Sequence, residues 1–273
     1  MEKYSVLTTL YAKEKPEYLR QCLDSMLNQS VNPSEYVIVK DGPLTAELDL
    51  VLAEYKEKYP IIKIIELESN SGCGIASIKG MEACTYDLVA RIDSDDISMA
   101  NRCELELQMF EKEPDLAVVG TDLIEFADDP DQIVAIKRMP TDPEEIYRYG
   151  KMRNPINHST VMMRKSIIQA NGGYAPLRRS LDLELFTKLL INGCKCRNIG
   201  EPLVKFRTGS ARVARKKNWT NLKCDLEVYK RNFREDYITF FEYCYIVFRQ
   251  LIFFILPCKL AGFLYMRIYR DKV

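Results

Sequence analysis

The sequence is poor in histidine and tryptophan, with one residue of each among 273, and it carries no net charge. His158 is the only imidazole, and the close pair Cys194 and Cys196 has no second cysteine pair to complete a zinc site. We therefore expect no zinc site of the usual four protein ligands. The 39 basic and 39 acidic residues balance, which argues against nucleic acid as a partner, because proteins that bind it carry a basic surface.

Long apolar runs are missing near residue 1, and the cysteines follow no disulfide pattern. The segment MEKYSVLTTLY has no run long enough for a signal peptide and is typical of a strand that begins at once. Nine cysteines, an odd number, are scattered through strand-like and helix-like segments. This distribution favours free thiols in a reducing compartment over a disulfide framework.

What the sequence does contain is a regular alternation of strand-like and helix-like segments. Five largely apolar, β-branched segments predict strands at residues 4–11, 35–41, 61–67, 86–93 and 116–126. One-sided apolar spacing predicts helices between the first three strands, and Ser98 is the predicted cap of a helix that runs toward Glu113. The alternation predicts an α/β fold, with a mainly parallel sheet and helices on both of its faces.

The pattern becomes less regular after Phe126. A segment rich in proline and acids precedes a predicted strand at residues 159–165, which is followed by a glycine turn and by an amphipathic helix that ends near Gly193. The simplest partition is one domain of residues 1–210 and a helical tail of residues 211–273.

The tail differs from the rest of the chain in charge and in apolar content. From Ala211 onward there are 13 Lys and Arg residues against 6 Asp and Glu, whereas the first 210 residues carry 26 against 33. Arg249 and Gln250 interrupt the apolar run of residues 237–270, and a central charge costs a spanning helix about 2.5–3.5 kcal/mol. The tail therefore favours helices that lie in a membrane interface, and the alternative is a helix packed against the rest of the chain.

Three carboxylates follow an apolar strand in the segment VARIDSDDIS, residues 89–98. Asp93, Asp95 and Asp96 repel one another unless a cation lies among them. An Asp-x-Asp sequence that is open to solvent suits Mg²⁺ or Mn²⁺, which take a few carboxylates and leave positions for water or phosphate oxygens. Such an ion offsets the charge on a departing diphosphate. The alternative is a solvated acidic loop.

Polar residues also follow the two preceding strands. Asp41 comes directly after the second strand, and Asn70 follows the third. Because ligands of an open parallel sheet bind beyond the carboxyl ends of its strands, Asp41, Asn70 and Asp93 are expected to meet at one edge. The segment NSGCGIASIKG lacks the glycine spacing of a dinucleotide fingerprint, which argues against a nicotinamide cofactor.

A transfer to a hydroxyl group also needs a base near this edge. The segment RRSLDLELF offers Asp182 and Glu184 at the start of a predicted helix. Residues two apart on a helix point to different faces, so only one of the two carboxylates is expected to aim inward. The alternative is that both are ordinary acids at the positive end of the helix dipole.

Seven segments form an ordered set over roughly residues 4–210. They are YSVLTTLYAKEKPEYLRQCLDSMLNQS, VIVKDGP, NSGCGIASIKGMEACTYDLVARIDSDD, NRCELELQMFEKEPDLAVVG, NPINHSTVMMRKS, NGGY and LDLELFTKLLINGCKCRNIGEPLVKFR. In content and order this set resembles family 2 glycosyltransferases, especially the bacterial members that build capsular and exopolysaccharides. The resemblance implies a GT-A fold and inverting transfer from a nucleotide-diphosphate sugar, with Mn²⁺ or Mg²⁺ as cofactor.

The resemblance also implies roles in donor binding. Asp41 matches the family aspartate that contacts the nucleoside, and the end of the first strand, from Thr9 to Tyr11, would wrap the base. Asn70 is placed with them on the donor side. Arg207, in LVKFRTG, is a candidate for a phosphate contact, and the alternative is a plain surface arginine.

The implied metal and catalytic residues are fewer. Asp95 is the expected direct metal ligand, and Asp93 is directed toward the ribose or the metal. Relatives read Glu-Asp before the catalytic helix, whereas this chain reads Leu181-Asp182. The aspartate is kept, so Asp182 is the expected base and Glu184 is the second choice.

His158 and Arg153 lie in the segment MRNPINHS, where relatives often place acceptor or diphosphate contacts. For His158 the alternative is a structural residue with satisfied hydrogen bonds.

Together these expectations describe an inverting, metal-dependent glycosyltransferase at the cytoplasmic face of a bacterial inner membrane. Its expected donor is a UDP-sugar, and its expected acceptor is a glycan, lipid-linked, in surface polysaccharide synthesis. Two alternatives stay open. One is a metal-dependent phosphatase with an aspartyl nucleophile at Asp93, and the other is an inactive nucleotide-sugar binding module, which only the changed Leu181 supports.

Overall fold

The computed structural model describes residues 1–208, 218–257 and Leu260. The strands in these residues are β1 (Tyr4–Leu10), β2 (Glu35–Lys40), β3 (Ile62–Glu66), β4 (Leu88–Arg91), β5 (Ile97–Ser98), β6 (Leu116–Phe126), β7 (Ile133–Lys137), β8 (Met162–Arg164) and β9 (Lys195–Arg207). The helices are α1 (Pro16–Leu27), α2 (Ala46–Lys58), α3 (Cys73–Ala83), α4 (Arg102–Lys112), α5 (Pro143–Met152), α6 (Lys165–Ala170), α7 (Leu181–Ile191), α8 (Trp219–Arg234) and α9 (Phe240–Ile255). A 3₁₀ turn, His158–Thr160, precedes β8.

The described strands join into one sheet of order β3-β2-β1-β4-β8-β6-β9-β5, with β7 paired to β6. Strands β3, β2, β1 and β4 run parallel, as the sequence predicts. Beyond β4 the sheet is mixed: β8 is antiparallel to both of its neighbours, whereas β6 and β9 are parallel to each other. The predicted α/β fold is confirmed, and its parallel half carries the residues that follow the first four strands.

Helices cover both faces of the parallel half, as expected. Along β2, Tyr36 and Ile38 pack in the layer that holds α1, α2 and α4, whereas Val37 and Val39 pack in the layer that holds α3 and α7. Successive side chains of a strand point to opposite faces, so a fully buried strand needs an apolar residue at nearly every position. This requirement explains the unbroken apolar segments in the sequence.

One expectation from the sequence is corrected, and one long strand was not predicted. Ser98 does not cap a helix: it lies in β5, pairs with Val204 of β9, and donates its backbone N–H to Ser25 Oγ at 3.0 Å. The helix begins at Arg102 instead. Strand β9 was not predicted, because its polar residues and Pro202 break the apolar pattern, and a register irregularity lies beside that proline.

Helices α8 and α9 pack against α7 and α5. Val228, Tyr229 and Ile246 are buried in the same apolar cluster as α7. The inner side of these helices therefore follows the packing alternative from the sequence. No described helix has the length and apolar content that a bilayer crossing requires.

Candidate active site

Asp41 lies at the carboxyl end of β2 and holds the loop that leads into α3. Its buried carboxylate accepts the backbone N–H groups of Ser71 at 2.7 Å and of Gly72 at 3.0 Å. Asn70 Nδ2 donates to the Asp41 carbonyl at 3.3 Å. Gly42, with φ +87°, follows at once, and a Cβ there would lie 2.6 Å from the Asn70 nitrogen. The structure thus brings Asp41 and Asn70 together.

Thr9 and Tyr11 lie at the end of β1, beside the same loop. Thr9 Oγ1 is 3.9 Å from Cys73 Sγ at the first position of α3. Tyr11 follows the strand and is exposed. Because β1 lies between β2 and β4 in the sheet, these residues stand between Asp41 and the acidic segment after β4. Their contact with a base stays a prediction.

Asp93 is paired with a buried cation. Arg91, the last residue of β4, has a side chain only 3% exposed, and its Nη2 donates to Asp93 Oδ1. The Asp93 backbone N–H donates to Ser159 Oγ at 3.1 Å. The Asp93 side chain is itself 36% exposed. One carboxylate oxygen is therefore paired with Arg91, while the group stays accessible to solvent.

Asp95 and Asp96 have opposite surroundings. Asp96 is fully buried, and it accepts hydrogen bonds from Ser159 Oγ and from the Arg207 backbone N–H, the latter at 2.9 Å. Asp95 instead faces other acids. Burial, followed by the negative charges of Asp93 and Glu14, raises the pKa of Asp95 to about 7. Asp96 therefore anchors the loop, and Asp95 is held where negative charge accumulates.

Arg207 stabilises the acidic loop, residues 93–96, through hydrogen bonds to its backbone and side chains. Its Nε donates to the Asp95 carbonyl at 3.0 Å, and its Nη1 donates to the Asp128 carbonyl at 3.1 Å. Nη2 donates to Gln21 Oε1, and the guanidinium lies 3.7 Å from the ring centroid of Tyr18. Arg207 is buried, so it is not the plain surface arginine of the alternative. Each of the three guanidinium nitrogens donates one hydrogen bond to a protein oxygen, which accounts for three of its five N–H groups. The expected phosphate contact stays a prediction.

The acidic loop fits a hard divalent cation. Asp93 and Asp95 supply carboxylate oxygens, which Mg²⁺ and Mn²⁺ prefer. No side chain in the described part of the chain donates a hydrogen bond to the Asp95 carboxylate, whose pKa is raised by burial and then by the charges of Asp93 and Glu14. The described residues contain no group of three or more His, Cys, Asp or Glu side chains arranged for a metal. A cation at this point would therefore take its remaining ligands from water or a phosphate-bearing substrate.

Asp182 lies in the first turn of α7. Its Oδ2 accepts a hydrogen bond from Asn154 Nδ2 at 2.6 Å. Burial raises the pKa of Tyr174, and among the further causes the charges of Asp182 and Asp93 raise it as well. Asp182 and Asp93 therefore both lie within electrostatic range of Tyr174, although 89 positions separate them in the sequence.

Glu184 points to another face of α7, as the sequence spacing predicts. Its Oε1 pairs with Arg231 of α8, and its Oε2 pairs with Lys188 at 3.3 Å. The Arg231 Nη2 also donates to the Glu184 carbonyl and to Thr187 Oγ1. Glu184 therefore joins α7 to the C-terminal helices and does not face the acidic loop.

His158 packs against the aromatic side chains of Tyr174 and Phe186. Its Nε2 lies 2.8 Å from the Tyr174 hydroxyl, and its ring meets Phe186 edge to face. Burial, followed by the positive charge of Arg91, lowers the pKa of His158 well below its usual range. These contacts support the structural alternative for His158. Arg153 lies with its guanidinium 4.8 Å from the Tyr149 ring centroid.

Sequence reasoning missed four residues that shape the site: Arg91, Glu14, Ser159 and Asn154. Arg91 lies inside the acidic segment, and a charged residue at the end of an otherwise apolar strand was an available signal. Asn154 lies in the segment MRNPINHS, which the resemblance marked only as an acceptor region. Glu14 and Ser159 had no local signal, because their partners lie 63 or more positions away.

Comparisons with known proteins identify the family of the chain. The sequence model of "Glycosyl transferase family 2" matches residues 5–170. The amylovoran biosynthesis glycosyltransferase AmsE of Erwinia amylovora is 32% identical over 262 residues, which are 96% of this chain and 97% of that protein. The UDP-Gal:alpha-D-GlcNAc-diphosphoundecaprenol beta-1,3-galactosyltransferase of Escherichia coli is 32% identical over 98% of this chain and 97% of its own length.

Solved structures show the same fold. The crystal structure of S. aureus TarS 1–349 in complex with UDP-GlcNAc superimposes with a TM-score of 0.67 at 18% sequence identity, covering 91% of this chain and 71% of that one. At this identity the likeness concerns the fold alone. The family model covers more than half of the chain, and the two relatives align over nearly all of it. This protein belongs to glycosyl transferase family 2.

Proposed function

We propose that this glycosyltransferase transfers a sugar from a UDP-sugar to a lipid-linked glycan, with inversion at the anomeric carbon, in bacterial surface polysaccharide synthesis. One observation carries the proposal: the charges of Asp93 and Asp182 both act on Tyr174, and the charge of Asp93 also acts on Asp95, so that the three carboxylates belong to one neighbourhood. The transfer needs two kinds of carboxylate. One kind holds the cation that offsets the charge of the leaving diphosphate, and the other accepts the proton of the attacking hydroxyl.

The donor lies across the carboxyl ends of β1, β2 and β4. Asp41 and Asn70 hold the nucleoside side, and Thr9 to Tyr11 cover the base. Asp93 and Asp95 would hold Mg²⁺ or Mn²⁺, which offsets the negative charge of the diphosphate when bound. Arg91 fixes the orientation of the Asp93 carboxylate through their ion pair.

Asp182 accepts the proton of the acceptor hydroxyl as that oxygen attacks the anomeric carbon. Asn154 fixes the carboxylate through Oδ2 at 2.6 Å, so that Oδ1 is the oxygen available to the hydroxyl. General-base catalysis of this type contributes about 10²–10⁴-fold to turnover. Glu184 does not take this role, because its two oxygens are paired with Arg231 and Lys188.

The acceptor reaches the site from a membrane surface on which the outer face of α9 rests. This outer face consists of Phe241, Tyr245, Phe248, Ile252 and Ile255, which are all exposed and recur at helical spacing. Interfacial helices bury such a face while basic residues nearby attract anionic lipid. The protein accordingly acts as a peripheral protein at the cytoplasmic face of the inner membrane. The Escherichia coli relative, whose name gives a diphosphoundecaprenol-linked acceptor, supports this placement.

An assay of UDP release tests the proposal. Purified protein with Mn²⁺ is given a panel of UDP-sugars and a short-chain lipid diphosphate that carries one sugar, and product linkage is read by NMR. A β-linked product from an α-linked donor is the expected result. An α-linked product would exclude inversion. If the donor binds but neither transfer nor donor hydrolysis is detected, the inactive binding module is the correct alternative.

A further inference from the structure

Ser180, the residue directly before α7, has an unusual backbone conformation. Its φ is +58°, and among the described non-glycine residues only Asp236 shares a positive φ. Side chains other than glycine disfavour this left-handed region, so surrounding contacts must hold a serine there. Ser180 lies two positions before Asp182, and its side chain does not cap α7.

The contact that holds Ser180 comes from the C-terminal helices. Ser180 Oγ donates to Asp225 Oδ1 of α8 at 2.5 Å. The second oxygen of Asp225 accepts from Gln250 Nε2 of α9 at 3.2 Å. One carboxylate therefore joins α8, α9 and the residue that sets the start of α7.

The same helices also hold the other side of Asp182. Asn154, which donates to Asp182, follows the end of α5 by two residues. The carbonyl of Met152, at that end, accepts from Tyr229 of α8 at 3.1 Å and from Arg249 of α9 at 2.6 Å. The contacts on both flanks of Asp182 thus trace back to α8 and α9.

Arg249 and Gln250 are the two polar residues that interrupt the apolar run of the tail. Each of them donates a side-chain hydrogen bond into these contacts. Simple packing of an apolar helix does not require a polar pair at this position, so the interruption itself points to a positioning role.

We propose that α8 and α9 position the catalytic base, and that Asp225 is the positioning residue that acts through Ser180. The inference rests on the proposed role of Asp182. When Asp225 is lost, Ser180 relaxes toward a common backbone conformation, the first turn of α7 shifts, and Asp182 loses its alignment. Misplacement by about 1 Å can cost about 10²-fold in rate.

The test compares Asp225→Ala, Ser180→Ala and the double variant with the exposed α8 control Glu227→Ala. Turnover is measured with the UDP-sugar that is fastest for the wild type, KM is measured for the same donor, and UDP affinity and thermal unfolding are followed alongside. We expect both single variants to lose about 10- to 100-fold in kcat with KM and UDP affinity unchanged. The double variant should lose no more than Asp225→Ala, since both changes remove one contact.

A rescue separates positioning from general stability. Glycine adopts a positive φ without support, so Ser180→Gly should recover part of the kcat that Asp225→Ala removes, although it adds no contact. If Asp225→Ala does not fold, Ser180→Ala decides alone. Wild-type kcat in the folded single variants would overturn the inference, as would equal losses in kcat and UDP affinity. Asp182→Asn is measured in parallel: full activity there would refute the proposed base instead.

Discussion

The acids at the carboxyl ends of the strands and the acids beside the C-terminal helices differ in how their charge is balanced. Asp95 faces Asp93 and Glu14, and its pKa is raised to about 7 by burial first and by those charges next. Glu184, by contrast, lies between Arg231 and Lys188. Carboxylates held against one another carry a cost that a bound cation removes, whereas carboxylates between two cations join elements of structure. Asp95 is therefore a candidate metal ligand, whereas Glu184 stabilises the packing of α7 against α8.

The largest effect is expected at Asp95, where activity and stability should change in opposite directions. Asp95→Asn removes a ligand charge from the cation, so transfer should fall to background. Because the same change relieves repulsion with Asp93 and Glu14, the melting temperature without metal should rise at pH 8. Asp96→Ala is the matched change: it removes two buried hydrogen bonds and should lower stability by about 1–3 kcal/mol for each unsatisfied partner. Full activity of Asp95→Asn would contradict the metal site.

The raised pKa of Asp95 predicts a pH dependence of metal binding. A proton must leave Asp95 before the metal binds, and its pKa is raised to about 7. Affinity for Mn²⁺ should therefore fall as the pH drops below 7, by up to about tenfold per unit. Calorimetry at pH 8, 7 and 6 measures this directly. An affinity that stays constant over this range would place the metal elsewhere.

The ion pairs of Glu184 with Arg231 and Lys188 should contribute to the free energy of unfolding and little to turnover. Arg231→Met removes the pair with Glu184 together with hydrogen bonds to Thr187 and Asn232. The unfolding free energy should fall by about 1.5–3 kcal/mol, the usual value of a hydrogen bond to a charged group. Lys230→Met, on the exposed side of the same helix, is the control and should change stability by less than about 0.5 kcal/mol. Urea unfolding gives both values, and equal stabilities would show that α8 does not share the core.

The smallest effect concerns the outer face of α9. Phe248→Glu replaces an exposed apolar side chain with a charge, so binding to anionic vesicles should weaken about tenfold or more, from the ~1.5–3 kcal/mol that such a side chain contributes when buried. Leu50→Glu makes the same kind of change on exposed α2. Vesicle sedimentation should show a loss for the first variant and none for the second. Equal binding by both would remove α9 from the proposed membrane contact.

The parallel half of the fold was predictable because its signals are local. Each buried strand is marked in the sequence by an unbroken run of apolar residues, and Asp41, Asn70 and Asp93 follow such strands. Asp182 and Glu184 were correctly assigned to different faces by helical spacing. The choice between their roles was not predictable, because it depends on Asn154 and Arg231, which lie 28 and 47 positions away. The same reason hid the link from Asp225 to Ser180, across 45 positions.

The most direct test of the account is the turnover of Asp182→Asn, with donor affinity measured on the same preparation. Asparagine keeps the shape of the side chain and cannot accept the proton of the acceptor hydroxyl. The account predicts a loss of about 10²–10⁴-fold in kcat with UDP-sugar affinity and melting temperature unchanged, while Asp115→Asn, an exposed acid next to β6, keeps full activity. Wild-type turnover in Asp182→Asn would contradict the account, and a large loss in Glu184→Gln at intact stability would transfer the role to Glu184.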